Sequence, residues 1–364
     1  MNNQKKQKES YVKTISKKAK LGLLFLFSPS LYCSAKTDKT PLSPITYNDI
    51  AQPAKFAKMT RVTQISSQEI TERITPILQK HLAERNYNRV YLAEKFIIFY
   101  NQNRHLFNTP LKAFVAFDTK QYAKDKHNGV CFGLTKALFD KLPSDLHAYK
   151  IGAILPNRYQ QNGWHLFPHT AIVIPYENPI EPVDKGYILL DTNFQISVPI
   201  VLRYGDKPVA VDLGKKGTWQ FQLKANKIIC HIFKEQNKTF DTIHDVMVYV
   251  LQEYLNGEEA ALKTMIASDR RLPIVSQYEN GVYKAHLRID LVKKSLSSAI
   301  HGTYQPLISF EEFLSGKKRF DQTFANYLNM DVKKLNSTIE TIIKNSDVLN
   351  SLTEQYFELL DHEK

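Results

Sequence analysis

Cys131, His169 and Asp191 follow one another in a chain of 364 residues. They are the residue types that acyl-transfer enzymes use as nucleophile, general base and orienting acid. Cys131 comes just after Asn128-Gly129-Val130 and opens an apolar run, Leu134, Ala137, Leu138 and Leu142, that stops at Pro143. That spacing predicts a helix beginning at the cysteine. In the first turn of a helix a thiol faces unpaired backbone N–H groups and the positive end of the dipole, which favour the thiolate and can also serve an oxyanion. Gly129 permits the close backbone approach that such an elbow needs. His169 begins a strand whose alternation sets His169, Ala171 and Val173 on one face. Asp191 ends the next strand, on the face of Tyr187 and Leu189. If the two strands pair antiparallel with Tyr176 opposite Gly186, His169 lies opposite Asn193 and diagonal to Asp191, within side-chain reach. The carboxylate then fixes the imidazole tautomer, and the imidazolium stabilises the thiolate.

The elements needed to position these residues are legible around them. Ser66 and Glu69 have capping-box spacing inside a staple of Ile65 and Ile70, and Ile74, Ile77, Leu78 and Leu82 continue it, predicting a helix over 67–84 with Pro76 as its weak point. A second apolar helix is expected over 89–101. After the cysteine helix come short β-rich segments at 149–155, 169–176, 186–193, 197–203, 219–223 and 227–233. Helix followed by antiparallel sheet is an α+β pattern. Helical periodicity resumes at 243–255 and 258–266, a hairpin turns at Asn280-Gly281, Ser309 and Glu312 form a second capping box, and 331–360 is again helical.

Gly129-Val130-Cys131-Phe132 at a helix start, His169 opening one strand and Leu189-Leu190-Asp191-Thr192-Asn193 closing the next resemble the transglutaminase-like superfamily, which is papain-like in its catalytic arrangement. Its members include transglutaminases, transglutaminase-like cysteine peptidases and arylamine N-acetyltransferases. The resemblance covers about residues 121–232. It implies an α+β fold in which a nucleophile helix packs on an antiparallel sheet, here with N-terminal helices and a mostly helical C-terminal region. It also implies catalytic roles for Cys131, His169 and Asp191. Arylamine N-acetyltransferases usually show Arg-Gly-Gly before the cysteine, where this chain has Asn128-Gly129-Val130; the 38 residues from Cys131 to His169 are similar to that subfamily. Transglutaminases favour Trp after the cysteine, and Phe132 stands there. Trp164 and His165 are placed to line a cleft above the thiol, and Gln121 and Asn128 are alternative oxyanion donors; Trp164, His165, Asn193 and Gln121 are the candidate substrate-binding residues. The implied reaction is acyl transfer through a thioester: amide or isopeptide hydrolysis, or transfer to an amine. It acts on a protein or peptide and needs no metal or organic cofactor. The alternatives are an arylamine N-acetyltransferase-like enzyme using acetyl-CoA and an inactive secreted binding module of the same fold.

The net charge of +13 adds less than it suggests. Seven lysines against one glutamate fall in residues 1–35, a lysine-rich start followed by Leu21 to Phe27 and a small-x-small end at Cys33-Ser34-Ala35. This has the form of an export signal cleaved after Ala35. Residues 36–60, with Pro41, Pro44 and Pro53, then form a linker, 61–235 the catalytic core and 236–364 the C-terminal region. The charge left over gives no reason to invoke nucleic acid, since the basic clusters are short and no phosphate-binding loop is present. No run reaches the ~18 apolar residues of a membrane span. Two cysteines remain, Cys131 and Cys230, which offer one disulfide as the structural alternative to catalysis. His165 and His169 have a zinc-like interval, but Pro168 before a β-run argues against the helix it needs.

Overall fold

Ser66 accepts a hydrogen bond from the Glu69 backbone N–H at 3.1 Å and so starts α1 (Ser67–Glu84), over the span its periodicity predicts. The computed structural model describes residues 45, 50, 54–119, 128–156, 169–213, 217–235, 242–256, 258–276, 278–279 and 282–362. These belong to one compact unit, Ile45–Lys364. A short strand, β1 (Lys55–Ala57), precedes α1. After it come β2 (Asn86–Asn88), α2 (Arg89–Gln102), whose first turn is capped by Asn88, α3 (Pro110–Ala116), with Pro110 at the position where a missing N–H costs nothing, β3 (Asn128–Gly129) and α4 (Cys131–Phe139).

The sheet that carries the candidate site has eight strands. In chain order they are β4 (Tyr149–Ile154), β5 (His169–Glu177), β6 (Lys185–Leu190), β7 (Ile200–Arg203), β8 (Val209–Asp212), β9 (Thr218–Lys224), β10 (Lys227–Glu235) and β11 (Thr242–Val250). Their spatial order is β7-β6-β5-β4-β11-β10-β9-β8, and every neighbouring pair is antiparallel. Alternation assigns the faces. Ile151, Ala153, Ala171, Val173, Leu189, Trp219, Phe221, Cys230, Met247 and Tyr249 share one buried core. Ile172, Ile174, Ile188 and Leu190 point the other way and bury against Ile70, Ile74, Leu78 and Leu82 of α1 and Leu138 of α4. The N-terminus of α1 is anchored to the same sheet, where the Ser67 N–H and hydroxyl donate to Asp184 at 3.0 and 2.8 Å and Arg203 Nε donates to it at 2.9 Å. Against the cost of burial, these bonds hold the Asp184 carboxyl down at about 2.

β5 and β6 pair with Tyr176 opposite Gly186. That register is held by a close approach on the far side of β6. A Cβ at Gly186 would sit 2.0 Å from the Leu202 carbonyl oxygen and 3.0 Å from the Arg203 Cα, both backbone atoms that cannot step aside. Gly186→Ala is therefore expected to lower the unfolding free energy by about 2–4 kcal/mol, the scale of backbone-strain and overpacking substitutions; a urea-denaturation midpoint equal to that of the parent chain would refute the register argument.

The remaining chain adds β12 (Glu253–Asn256), which pairs with β1, and α5 (Glu258–Ala267). Then come β13 (Arg271–Val275), β14 (Tyr278–Glu279), β15 (Val282–Tyr283), β16 (Ala285–Asp290), β17 (Ser295–Ile300), β18 (Thr303–Tyr304) and β19 (Ile308–Ser309). Four helices end the chain: α6 (Phe310–Leu314), α7 (Gln322–Tyr327), α8 (Val332–Lys344) and α9 (Ser346–His362). β13, β16 and β17 form a second sheet with β2 and β3, and β14 pairs with β15 across residues 280–281 as the Asn280-Gly281 signal predicts. Two expectations are corrected. The segment read as a helix over 243–255 is instead strand β11 up to Val250, where β-branched residues alternate with Met247 and Tyr249 and pair with β10 throughout, followed by β12 from Glu253, which pairs with β1. The stretch after 236 is strand-rich up to Ser309 and mainly helical from Phe310, and the eight-stranded sheet draws strands from both sides of residue 236. Among the described residues no helix is long and apolar enough to cross a membrane.

Candidate active site

Cys131 is the first residue of α4 and is fully buried. Its helix starts on Val130, whose backbone is extended and whose side chain offers no cap, so the first-turn N–H groups are not claimed by a capping side chain. One turn further on, the Thr135 hydroxyl donates to the Thr170 carbonyl at 3.0 Å and pins α4 to β5 beside His169. Gly129 is closely packed: a Cβ there would meet the Leu134 side chain and backbone nitrogen at 3.3 Å. Behind the thiol, Met265 Sδ lies 4.0 Å from Cys131 Sγ. Arg89 Nη1 donates to Asp269 at 2.8 Å, and its Nη2 donates to the Met265 carbonyl.

Burial pushes the Cys131 thiol well up, and the Asp191 carboxylate adds to this; the Phe132 and Thr170 backbone and the Arg89 guanidinium pull the other way but do not prevail. Burial therefore opposes the thiolate that the helix start favours. The helix start is present, but Cys131 is fully buried, and desolvation outweighs a first-turn dipole effect of roughly 0.3–1 kcal/mol.

His169 and Asp191 are brought together at the strand ends. His169 Nε2 lies 2.6 Å from Asp191 Oδ2, and both side chains are buried. Asp191 is the first residue after β6. Its Oδ1 accepts from the Asn193 and Phe194 backbone N–H groups at 3.0 and 3.3 Å, and its Oδ2 also accepts from the Tyr249 hydroxyl at 2.7 Å. Four donors on one carboxylate hold it rigidly as an acceptor. The Asn193 amide nitrogen lies 3.2 Å from His169 Nδ1, and the Phe194 ring packs 4.7 Å from the imidazole. Burial, and then the neighbouring Asp191 charge, push the Tyr249 hydroxyl well up, so it remains a donor.

Of the residues singled out from the sequence, Asn193, His169 and Asp191 are thus joined by hydrogen bonds. Cys131 lies in the Coulomb field of Asp191 at the start of the helix packed on β5. Asn193, read as a substrate-binding residue, is occupied with the imidazole. Trp164, His165 and Gln121 lie outside the described residues, as do residues 1–44 and most of the linker. Cys230 stands in the sheet core as a reduced thiol, and Cys131 is likewise reduced, so neither is used in the disulfide considered above. Among the described residues no group of three His, Cys, Asp or Glu side chains is arranged as metal ligands. Tyr249 was missed. Its signal was the two-residue alternation of 247 and 249, obscured when the segment was read with a helical period.

Fold and site together define an α+β chain in which a helix beginning at a cysteine packs on an antiparallel sheet that carries a histidine–aspartate pair. No family model matches the sequence, and no curated protein does. Among solved structures, the chain is similar to an arylamine N-acetyltransferase from Salmonella typhimurium, with TM-score 0.44 and 11% identity over 78% of this chain and 94% of that one. It is also similar to an arylamine N-acetyltransferase from Bacillus cereus described as having a unique Cys-His-Glu catalytic triad, with TM-score 0.40 and 13% identity over 67% and 88% of the two chains. A third, arylamine N-acetyltransferase C from Bacillus anthracis, gives TM-score 0.38 and 10% identity over 67% and 88%. The chemical reading below rests on the site's own geometry.

Proposed function

We propose that this chain is a cysteine-nucleophile enzyme that transfers an acyl group through a thioester. The observation that carries the reading is the buried 2.6 Å contact between His169 and Asp191, at the end of the strand to which the Cys131 helix is pinned. With its Nε2 proton directed at Asp191, His169 has Nδ1 left as the basic atom. Nδ1 takes the Cys131 proton, and the sulfur attacks the acyl carbonyl carbon. First-turn N–H groups of α4 are the nearest candidates to receive the developing oxyanion. The imidazolium returns its proton to the departing amine or alcohol, which leaves a thioester on Cys131. Water or an amine then attacks the thioester carbonyl, losing its proton to Nδ1, and the thiol is restored as the acyl product leaves. We propose a protein or peptide as the acyl donor, and the leader-like form of residues 1–35 supports action after export.

The test uses the full chain and an activated ester, p-nitrophenyl acetate. Intact mass and peptide mapping are expected to show one acetyl group on Cys131, absent from Cys131→Ala and formed far more slowly by His169→Ala. Acetyl groups on lysines alone, or no adduct, would overturn the proposal and favour an inactive binding module. Offering water, a primary alkylamine and an arylamine to the isolated thioester identifies the acceptor, and acetyl-CoA as a rival donor tests the N-acetyltransferase-like route.

A further inference from the structure

The two ring nitrogens of His169 have different partners. Nε2 faces Asp191 Oδ2 at 2.6 Å, and Nδ1 faces the Asn193 amide nitrogen at 3.2 Å. An amide nitrogen donates and has no lone pair to offer, so Nδ1 must be the acceptor. The ring is then neutral, with its proton on Nε2. Asn193 is anchored by its own backbone N–H on Asp191 Oδ1 at 3.0 Å, while its side-chain oxygen is buried with no hydrogen-bond partner among the described residues. Turning that amide by half a revolution about its last torsion exchanges nitrogen for oxygen. The turned amide suits a protonated Nδ1, and the observed one suits an unprotonated Nδ1. The other groups facing the ring and the thiol are Asp191, Tyr249 from β11, the Phe194 ring, Arg89 acting on Cys131, and Cys230 behind Tyr249. Asn193 hydrogen-bonds the ring itself and can change from donor to acceptor without changing charge.

We propose that Asn193 is a positioning residue that latches the general base: its amide N–H occupies the Nδ1 lone pair that must receive the Cys131 proton, and substrate entering the cleft turns the amide and releases it. On release the S–H bond of Cys131 breaks, the proton moves to Nδ1, the electron pair stays on sulfur, and the turned amide presents Oδ1 to the imidazolium. The latch rests on the acyl-transfer reading above for its purpose, though not for its geometry. Until the cleft is filled, the latch keeps the Cys131 proton on sulfur.

The experiment is the pH profile of Cys131 alkylation by iodoacetamide in the full chain, compared with Asn193→Ala and Asn193→Asp, each with and without His169→Ala. Loss of one hydrogen bond to the neutral ring is expected to raise the alkylation rate of Asn193→Ala at pH 7 about fivefold and move its midpoint to lower pH. Asn193→Asp moves it further, because a carboxylate accepts from the protonated ring. Both shifts vanish when His169 is absent. An unchanged or slower profile, or a shift that persists without His169, overturns the latch. Cys230, buried in the sheet core, labels only if a variant unfolds. In that event the wild-type chain labelled with ¹⁵N-histidine decides: a neutral Nε2–H tautomer of His169 at pH 7 supports the latch, and an imidazolium or Nδ1–H tautomer refutes it. If Cys131 takes no acetyl group from p-nitrophenyl acetate but the alkylation shift appears, the enzymatic reading fails and the latch stands. An acetyl adduct without the shift has the opposite meaning.

Discussion

Asp191→Asn is expected to slow acetylation of Cys131 by p-nitrophenyl acetate by about 10⁴-fold, the scale of losing the orienting carboxylate from a nucleophile–histidine–acid set. The geometry makes the reason specific. Asp191 Oδ2 receives both the His169 Nε2 proton and the Tyr249 hydroxyl. With an amide there, one orientation opposes an N–H to these donors, and the ring is driven to the tautomer with its proton on Nδ1. That tautomer has no lone pair to offer the thiol. Asp191→Ala goes further, because it leaves His169, Tyr249 and the Asn193 and Phe194 backbone N–H groups without their shared acceptor in a buried site. It is expected to cost about 3–5 kcal/mol of unfolding free energy. Stopped-flow acylation and urea melts read the two effects separately. A parental rate in Asp191→Asn would remove the carboxylate from the mechanism.

Acid is expected to destabilise the protein through a residue far from this chemistry. His81 lies on the buried side of α1, and neither ring nitrogen has a hydrogen-bond partner of normal geometry. Burial first, then the Arg85 and Lys141 charges, lower it from 6.5 to about 3, with the Leu134 carbonyl of α4 weakly opposing them. The folded state thus resists taking up a proton that the unfolded chain binds readily. This contribution is intact above the unfolded value near 6.5, falls progressively as pH drops toward 3, and levels off below that. The loss amounts to about 5 kcal/mol at the acid end, from 1.36 kcal/mol per unit. His81→Leu should flatten the slope of unfolding free energy between pH 6 and 4. A variant that keeps the full slope would show that other groups carry the acid sensitivity.

Much of the site's scaffold was legible because it depends on local signals. The α1 span follows from Ser66, Glu69 and a four-residue apolar interval, and the β5–β6 register follows from alternation on two adjacent strands. The cysteine helix is announced by its apolar spacing and ended near Pro143. What escaped depends on partners distant in the chain. β11 has alternating residues whose exposed set is also apolar, so 243–255 fits a helical period nearly as well as a strand period. With it went Tyr249, 58 residues from the aspartate it donates to. The surroundings of Cys131 escaped for a related reason: the helix start is a property of the local sequence, but the burial that opposes the thiolate comes from groups distant in the chain, such as Met265.

The place of β11 in the sheet also orders events in time. β4 and β10 meet only through this strand, which leaves the ribosome after both. Until residue 250 has emerged, β4 and β10 each keep an open edge, and Asp191 lacks the Tyr249 hydroxyl. A growing chain can therefore hold Cys131, His169 and Asp191 without holding the finished carboxylate environment. Pairings this remote in sequence form late and slowly, so the last strand to join is also the one that completes the site.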